Sequence, residues 1–161
     1  MTAAAPEIRL LRHALAALAY RGGKALRGAP VGFGEFRVAA GTRTPLEILA
    51  HVGDLFDWAI HLAEGEHLWQ DSTPISWERE VERFFAGLGA FDARLCASRP
   101  LGSTPERLFQ GPVADAFSHV GQIAMLRRLA GSPVRGENYF RAEIALGRLG
   151  AEQATPQREF E

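Results

Sequence analysis

One cysteine, Cys96, is too few for an intramolecular disulfide, and such sparing use of the residue favours a reducing compartment. No apolar stretch approaches the roughly 20 residues needed to cross a bilayer. Met1 to Pro6 lacks the basic start, apolar run and small-residue cleavage site of a leader peptide. These absences predict a cytoplasmic protein with no membrane segment. An excess of charge of one sign is also lacking: 18 Lys and Arg stand against 19 Asp and Glu, a formal net charge of -1. Nucleic-acid binding draws on clustered basic charge, and the nearest approach to it is the pair Arg127-Arg128, so no nucleic-acid partner is expected. Internal repeats, low-complexity tracts and the alternating pattern of surface strands are missing too. What is present is 47% apolar residue in 161 positions, enough to bury one core and short for two.

The apolar residues recur with helical period. Ile8, Leu11, Leu15 and Leu18 mark a first helix from about Pro6 to Leu26, ended by Gly28-Ala29-Pro30. Val31 to Thr42 carries Gly32, Gly34 and Gly41 without phosphate-loop spacing and reads as a connecting loop. Thr44-Pro45-Leu46-Glu47 offers a capping hydroxyl, a proline at the first helical position and a glutamate to close a capping box. The helix it starts should reach about Glu64, with two adjacent apolar stripes and most of its circumference buried. Ser76 begins a third helix, whose Trp77, Val81, Phe84, Leu88, Phe91 and Leu95 fall at alternating four- and three-residue steps.

A fourth helical segment follows Ser103-Thr104-Pro105-Glu106. Gly111-Pro112 should break it and restart it with proline at the first position, and Gly131-Ser132-Pro133 should end it. Four amphipathic segments must bury their stripes against one another. The expected fold is therefore all-α, an up-and-down type four-helix bundle with a long second connection and an irregular C-terminal tail. Residues 1-150 would form the domain and 151-161 a polar, frayed tail. Glu137 to Leu149 reads as a short helix or an extended strap that folds back over one end, packing Tyr139 and Phe140.

Chemistry is concentrated in the histidines. With 5 His and 19 acids in 161 residues, roughly 0.6 acid-to-His pairs at four-residue spacing are expected by chance. Three occur: Glu47-His51, Asp57-His61 and Asp115-His119. The spacing puts each pair on one helix face, where an exposed pair contributes only a few tenths of a kcal/mol to the helix. Asp115-His119 differs in its surroundings, since Val113, Ala116, Phe117, Val120, Ile123 and Ala124 bury much of that helix. Its polar stripe, which Gln122 continues, must face solvent or a cavity. His51 has a similar setting above Leu55 and Trp58, and alone it is equally well a core histidine bound to a carbonyl. His61 and His67 are expected in solvent, His13 on the outer face of the first helix, and Cys96 as a buried or half-buried filler rather than a nucleophile.

The segments that carry these residues resemble a known family. His119-Val120-Gly121-Gln122-Ile123, with Leu126-Arg127-Arg128-Leu129-Ala130-Gly131, looks like the last core helix of the DinB-like (YfiT-like) four-helix-bundle superfamily. Thr44-Pro45-Leu46-Glu47-Ile48-Leu49-Ala50-His51, followed by Trp58, looks like its second helix. By helix layout the resemblance runs from about Glu7 to Gly131. The family takes one metal ligand from a histidine of the second helix and two from a His-x-x-x-His pair of the fourth. His51 matches the first and His119 the last, while Asp115 stands where the family has its other histidine. Two histidines and a carboxylate with open positions is an arrangement used by catalytic zinc and non-haem iron, so Asp115 fits a retained metal, an exchanged one or a lost one.

The resemblance implies a divalent transition metal (zinc, nickel or iron) and, in the enzymes of the family, a low-molecular-weight thiol attacking a small-molecule electrophile in S-transfer or isomerisation. Trp58 and Gln122 would then be substrate-binding, Trp58 in the pocket wall and Gln122 touching the substrate or a ligand. The other reading is a non-enzymatic metal-binding or dimeric stress-response helical module, with a homodimer as the expected assembly in that case.

Overall fold

Prolines and capping hydroxyls begin the helices where the sequence places them. The computed structural model describes residues 5–161. Helix α1 (Pro6–Leu26) starts on proline. Helix α2 (Pro45–Glu64) has its capping box closed: the Thr44 hydroxyl accepts the Glu47 N–H at 3.2 Å, and the Glu47 carboxylate accepts the Thr44 N–H at 2.6 Å. That backbone hydrogen bond holds the Glu47 carboxyl below the usual range. Gly65, at φ 87°, ends α2 in the left-handed region that favours glycine. Helix α3 (Trp77–Cys96) starts on Ser76, whose hydroxyl accepts the Arg79 N–H.

The fourth segment departs from expectation at Gly111-Pro112. Helix α4 (Pro105–Leu108), capped by Thr104, does not stop there; it runs through a π turn, Phe109–Val113, directly into α5 (Ala114–Leu129). A proline inside an α-helix lacks the N–H for the ladder, and its ring meets a carbonyl of the preceding turn. Widening that turn admits Pro112 without ending the helix. Asp115 therefore follows a π turn rather than a fresh N-terminus.

Helix α2 packs against α3 and α5, and α1 packs against the same two. Their shared core holds Leu15, Leu18, Phe56, Phe84, Leu88, Phe91 and Ile123, none of them exposed. Phe56 and Phe84 meet at 5.6 Å between ring centres. The chain is all-α apart from one two-residue strand pair among the described residues. No helix of these residues is long and apolar enough to cross a membrane.

Two arginines close the helix ends from inside. Arg94 donates to the carbonyls of Ala63 and Pro100 and pairs with Glu64, tying the end of α2 to that of α3. Arg127, 5% exposed, donates to the carbonyls of Ala25, Arg27, Gly28 and Ser132 and to the Ser132 hydroxyl. The carbonyls that a helix end leaves without partners are thus satisfied for α1 and α5 together. The one basic pair in the sequence has its first member in the interior, not on a binding surface.

The tail is more ordered than its polarity suggests. Strand β1 (Gly136–Glu137) pairs antiparallel with β2 (Glu159–Phe160), Gly136 opposite Phe160 and Glu137 opposite Glu159. Buried Glu137 accepts from the Tyr20 hydroxyl and from Lys24 Nζ, each at 2.7 Å, and Lys24 also reaches Glu159. Residues 137–149 form a strap with one 3-10 turn, Tyr139–Arg141. Tyr139 packs edge-on against Tyr20 beneath the Arg21 guanidinium, whereas Phe140, expected to pack, is 94% exposed. Within the segment expected to fray, Glu159 and Phe160 are held by β1. Its last residues are fastened to α1 by charge, which hydropathy does not register.

Candidate metal centre

His51 lies on α2 two turns after the Thr44 cap, and Asp115 and His119 lie one turn apart on α5. Because α2 packs on α5, the three side chains converge. His119 Nε2 is 3.4 Å from Asp115 Oδ1, and His51 Nε2 is 3.8 Å from Asp115 Oδ2. The two imidazoles stand edge to face at 4.8 Å. One ligand atom from each residue lies within 4.8 Å of the others. Metal–ligand bonds of about 2.0–2.2 Å in a tetrahedron separate ligand atoms by about 3.3–3.6 Å. The 3.4 and 3.8 Å separations lie near the spacing one ion would impose and the widest, up to 4.8 Å, lies beyond it by about 1.2 Å, so these residues fit the group once the side chains draw together by small rotations.

Protonation suits the same role. Burial, and then the neighbouring His119, lower the His51 pKa from its ordinary 6.5, leaving a neutral imidazole with a lone pair at neutral pH. His119 Nδ1 lies 2.8 Å from the Gln122 amide oxygen, which can accept its proton, and Nε2 is directed at Asp115. Orientation of a ligating histidine through its second nitrogen is the usual support in metal sites. Gln122 is exposed, and its observed contact is to His119. The histidine side chains are 19% and 14% exposed and Asp115 is 49%, so the cluster is most open at the carboxylate.

Two residues absent from the sequence reading complete the surroundings. Trp69, in the loop between α2 and α3, lies 5.4 Å from the His51 ring and 5.7 Å from that of Trp58, which is half-buried. Arg83 of α3 donates to the Ala50 carbonyl, just before His51, to Asp54 and Asp57 one and two turns on, and to the Ser72 hydroxyl. Asp54 also accepts the Ser72 N–H. Gly53 leaves the room this needs, because a Cβ there would lie 2.7 Å from the guanidinium carbon. No periodic signal marks Trp69, and Arg83 falls outside the apolar stripe of its helix.

Compared with family models, with curated proteins and with solved structures, the chain matches none.

The other acid-histidine spacings serve different ends. Glu47 caps α2, Asp57 pairs with Arg83, and His61 pairs instead with Glu66 at 2.8 Å. Of the three pairs only Asp115-His119 has its two members in contact among the described residues. Cys96 is exposed rather than buried. Partial desolvation, with the Asp92 carboxylate beside it, pushes its thiol pKa up, away from the thiolate a nucleophile needs.

Proposed function

We propose that this chain is a DinB-like protein, folded as an up-and-down four-helix bundle with a long second connection, that binds one divalent transition metal through His51, Asp115 and His119. The observation that carries the reading is the convergence of those three donors from α2 and α5 within 4.8 Å. The helix order, the long loop between α2 and α3, and the packing of each of α1 and α2 against both α3 and α5 support the bundle.

The activity that fits best is transfer of a low-molecular-weight thiol to a small electrophile. Three protein ligands leave coordination positions open, as reactive rather than structural sites do. A bound divalent ion supplies the Lewis acidity that keeps a thiol deprotonated near neutral pH. The chain's own residues do the rest. Gln122 orients the His119 ring, Trp69 and Trp58 pack beside His51, and the half-exposed Asp115 marks the side from which substrate arrives. With a halogenated aromatic as electrophile, a sulfur–carbon bond forms, the carbon–halogen bond breaks, halide leaves, and the thiol proton goes to solvent; nothing is oxidised.

The test follows consumption of a panel of small thiols against a halogenated aromatic or an epoxide. Zinc-, nickel- or iron-loaded protein should exceed the uncatalysed rate at the same pH with at least one thiol, while metal-free protein and His119→Ala should not. Background rates from every metal-loaded form would remove thiol transfer and leave a non-enzymatic metal-binding module as the reading.

A further inference from the structure

Away from the metal cluster, the outer side of α5 and the adjoining side of α1 turn apolar residues to water. Along α5, Ala114, Ser118, Gly121, Met125 and Leu129 follow one another at three- and four-residue steps, and none of them is charged. Met125 and Leu129 are exposed. Phe109, in the π turn that leads into α5, is exposed as well, and it shares a hollow of about 450 Å³ with the exposed Leu10 of α1. A helix on the surface of a monomer normally shows water a charged or polar face.

Gly121 and the charges around this face say what covers it. Glycine weakens a helix interior more than any residue but proline, and Gly121 stands exposed in the middle of α5, where an added Cβ would meet nothing within 4 Å. Nothing inside the chain uses that space; a second backbone laid against α5 would. The charges are sorted by end. Helices α1 and α5 run the same way, since Glu7 of α1 and Glu106 of α4 line the hollow together at one end, while Arg127 binds the carbonyls that close α1 at the other. The exposed Arg128 lies at that second end. Glu7, Glu106 and Arg128 have no ion-pair partner among the described residues, and the neighbouring cations Arg9 and Arg107 do not line the hollow. The face is thus apolar along its length, acidic at one end and basic at the other.

We propose that a second copy of this chain binds here, antiparallel about a twofold axis that crosses α5 between Ser118 and Gly121. Turning one copy end for end brings Arg128 of each to Glu7 and Glu106 of the other, and sets Met125 and Leu129 over the hollow between Leu10 and Phe109. A parallel arrangement would put like charges together. Two helices roughly 30 Å long and about 10 Å apart present roughly 600 Å², the lower end of what each partner buries in a stable dimer. Such a contact uses the same patch on both copies and closes on itself. None of these residues ligates in the metal cluster, so the inference stands apart from the metal-centre reading.

Sedimentation equilibrium of the full chain, from micromolar to millimolar concentration, tests it. The wild type should pass from the chain mass of 17.6 kDa to twice that value. Met125→Glu, which puts an unpaired carboxylate into the contact, should weaken the dimer roughly a hundredfold or more, and Gly121→Lys, which blocks the close approach, should do the same. Both positions are exposed, so circular dichroism should show the helical content of the wild type in each. Arg128→Glu should weaken association about tenfold at low salt and less at high salt. Adding Glu7→Lys and Glu106→Lys to Arg128→Glu should restore it, because the swapped charges meet again only if the copies are antiparallel. A wild type that keeps the chain mass throughout leaves the face to another occupant and overturns the proposal. So does a dimer that Met125→Glu and Gly121→Lys leave intact, or a charge swap that restores nothing.

Discussion

Replacing either His51 or His119 with alanine is expected to weaken divalent-metal binding by more than the roughly 10- to 100-fold that loss of a supporting hydrogen bond costs in metal sites. Gln122→Leu, which removes only the acceptor on His119 Nδ1, should fall inside that range. Asp115→Ala should lie with the histidine variants, since its carboxylate is the donor nearest both imidazoles. Competition against a chromophoric chelator measures all four on one scale. The pH dependence follows from His51. Its folded-state pKa is lowered by burial, so the part of the affinity that depends on a neutral His51 is kept to a lower pH than an ordinary imidazole would keep it, and is lost as pH falls through that lowered value. In the metal-free protein the sign is the same. The unfolded chain takes up the proton first, so the stability associated with neutral His51 is full above 6.5 and is lost as pH falls through the folded pKa. His51→Ala should flatten that part of the pH profile. Four variants with chelator titrations identical to wild type would place any bound metal elsewhere.

Arg127→Ala is expected to produce a large loss of stability. The buried guanidinium makes five hydrogen bonds, four of them to carbonyls that end α1 and α5 or follow them. Each buried acceptor left without a donor costs about 1–3 kcal/mol, less wherever water enters the gap, so a net loss of about 3–4 kcal/mol follows. For a chain of this length that lowers Tm by about 10 °C. Burial also lowers the Arg127 pKa, the expected direction for a cation out of water with no carboxylate partner. Arg127→Lys should recover only part of the loss, because one ammonium cannot reach acceptors arranged around a planar fork. Thermal unfolding followed by circular dichroism reads both variants, and a shift below about 2 °C for Arg127→Ala would contradict the clamp.

The parts of this molecule that are legible in sequence are those set by short-range rules. Thr44-Pro45-Leu46-Glu47 states the start of α2 and Ser76 that of α3, because capping needs only residues three apart. Pro6 and Leu26 bound α1 as the periodicity indicates. Gly111-Pro112 was misleading for a local reason: the rule that proline ends a helix assumes α geometry, and one π turn evades it. Residues joined only by tertiary contact carried no signal. Glu137 and Glu159 meet Lys24 across more than a hundred positions, and Arg127 reaches carbonyls about a hundred residues away. The same division runs through the candidate site. Asp115 and His119 were visible as a pair because helix spacing brings them together, and His51 through its apolar setting. Trp69 sits in a loop whose path over His51 depends on Asp54 and Arg83 holding Ser72.

The central claim is that His51, Asp115 and His119 share one metal ion. It is tested most directly by elemental analysis of the wild-type protein, purified without a nickel column and equilibrated at neutral pH with a slight excess of zinc, iron or nickel before gel filtration. The account predicts about one divalent transition metal per chain, falling to near zero in His119→Ala at the same helical content. Protein that emerges with no bound metal, or with the same stoichiometry in wild type and His119→Ala, would contradict it.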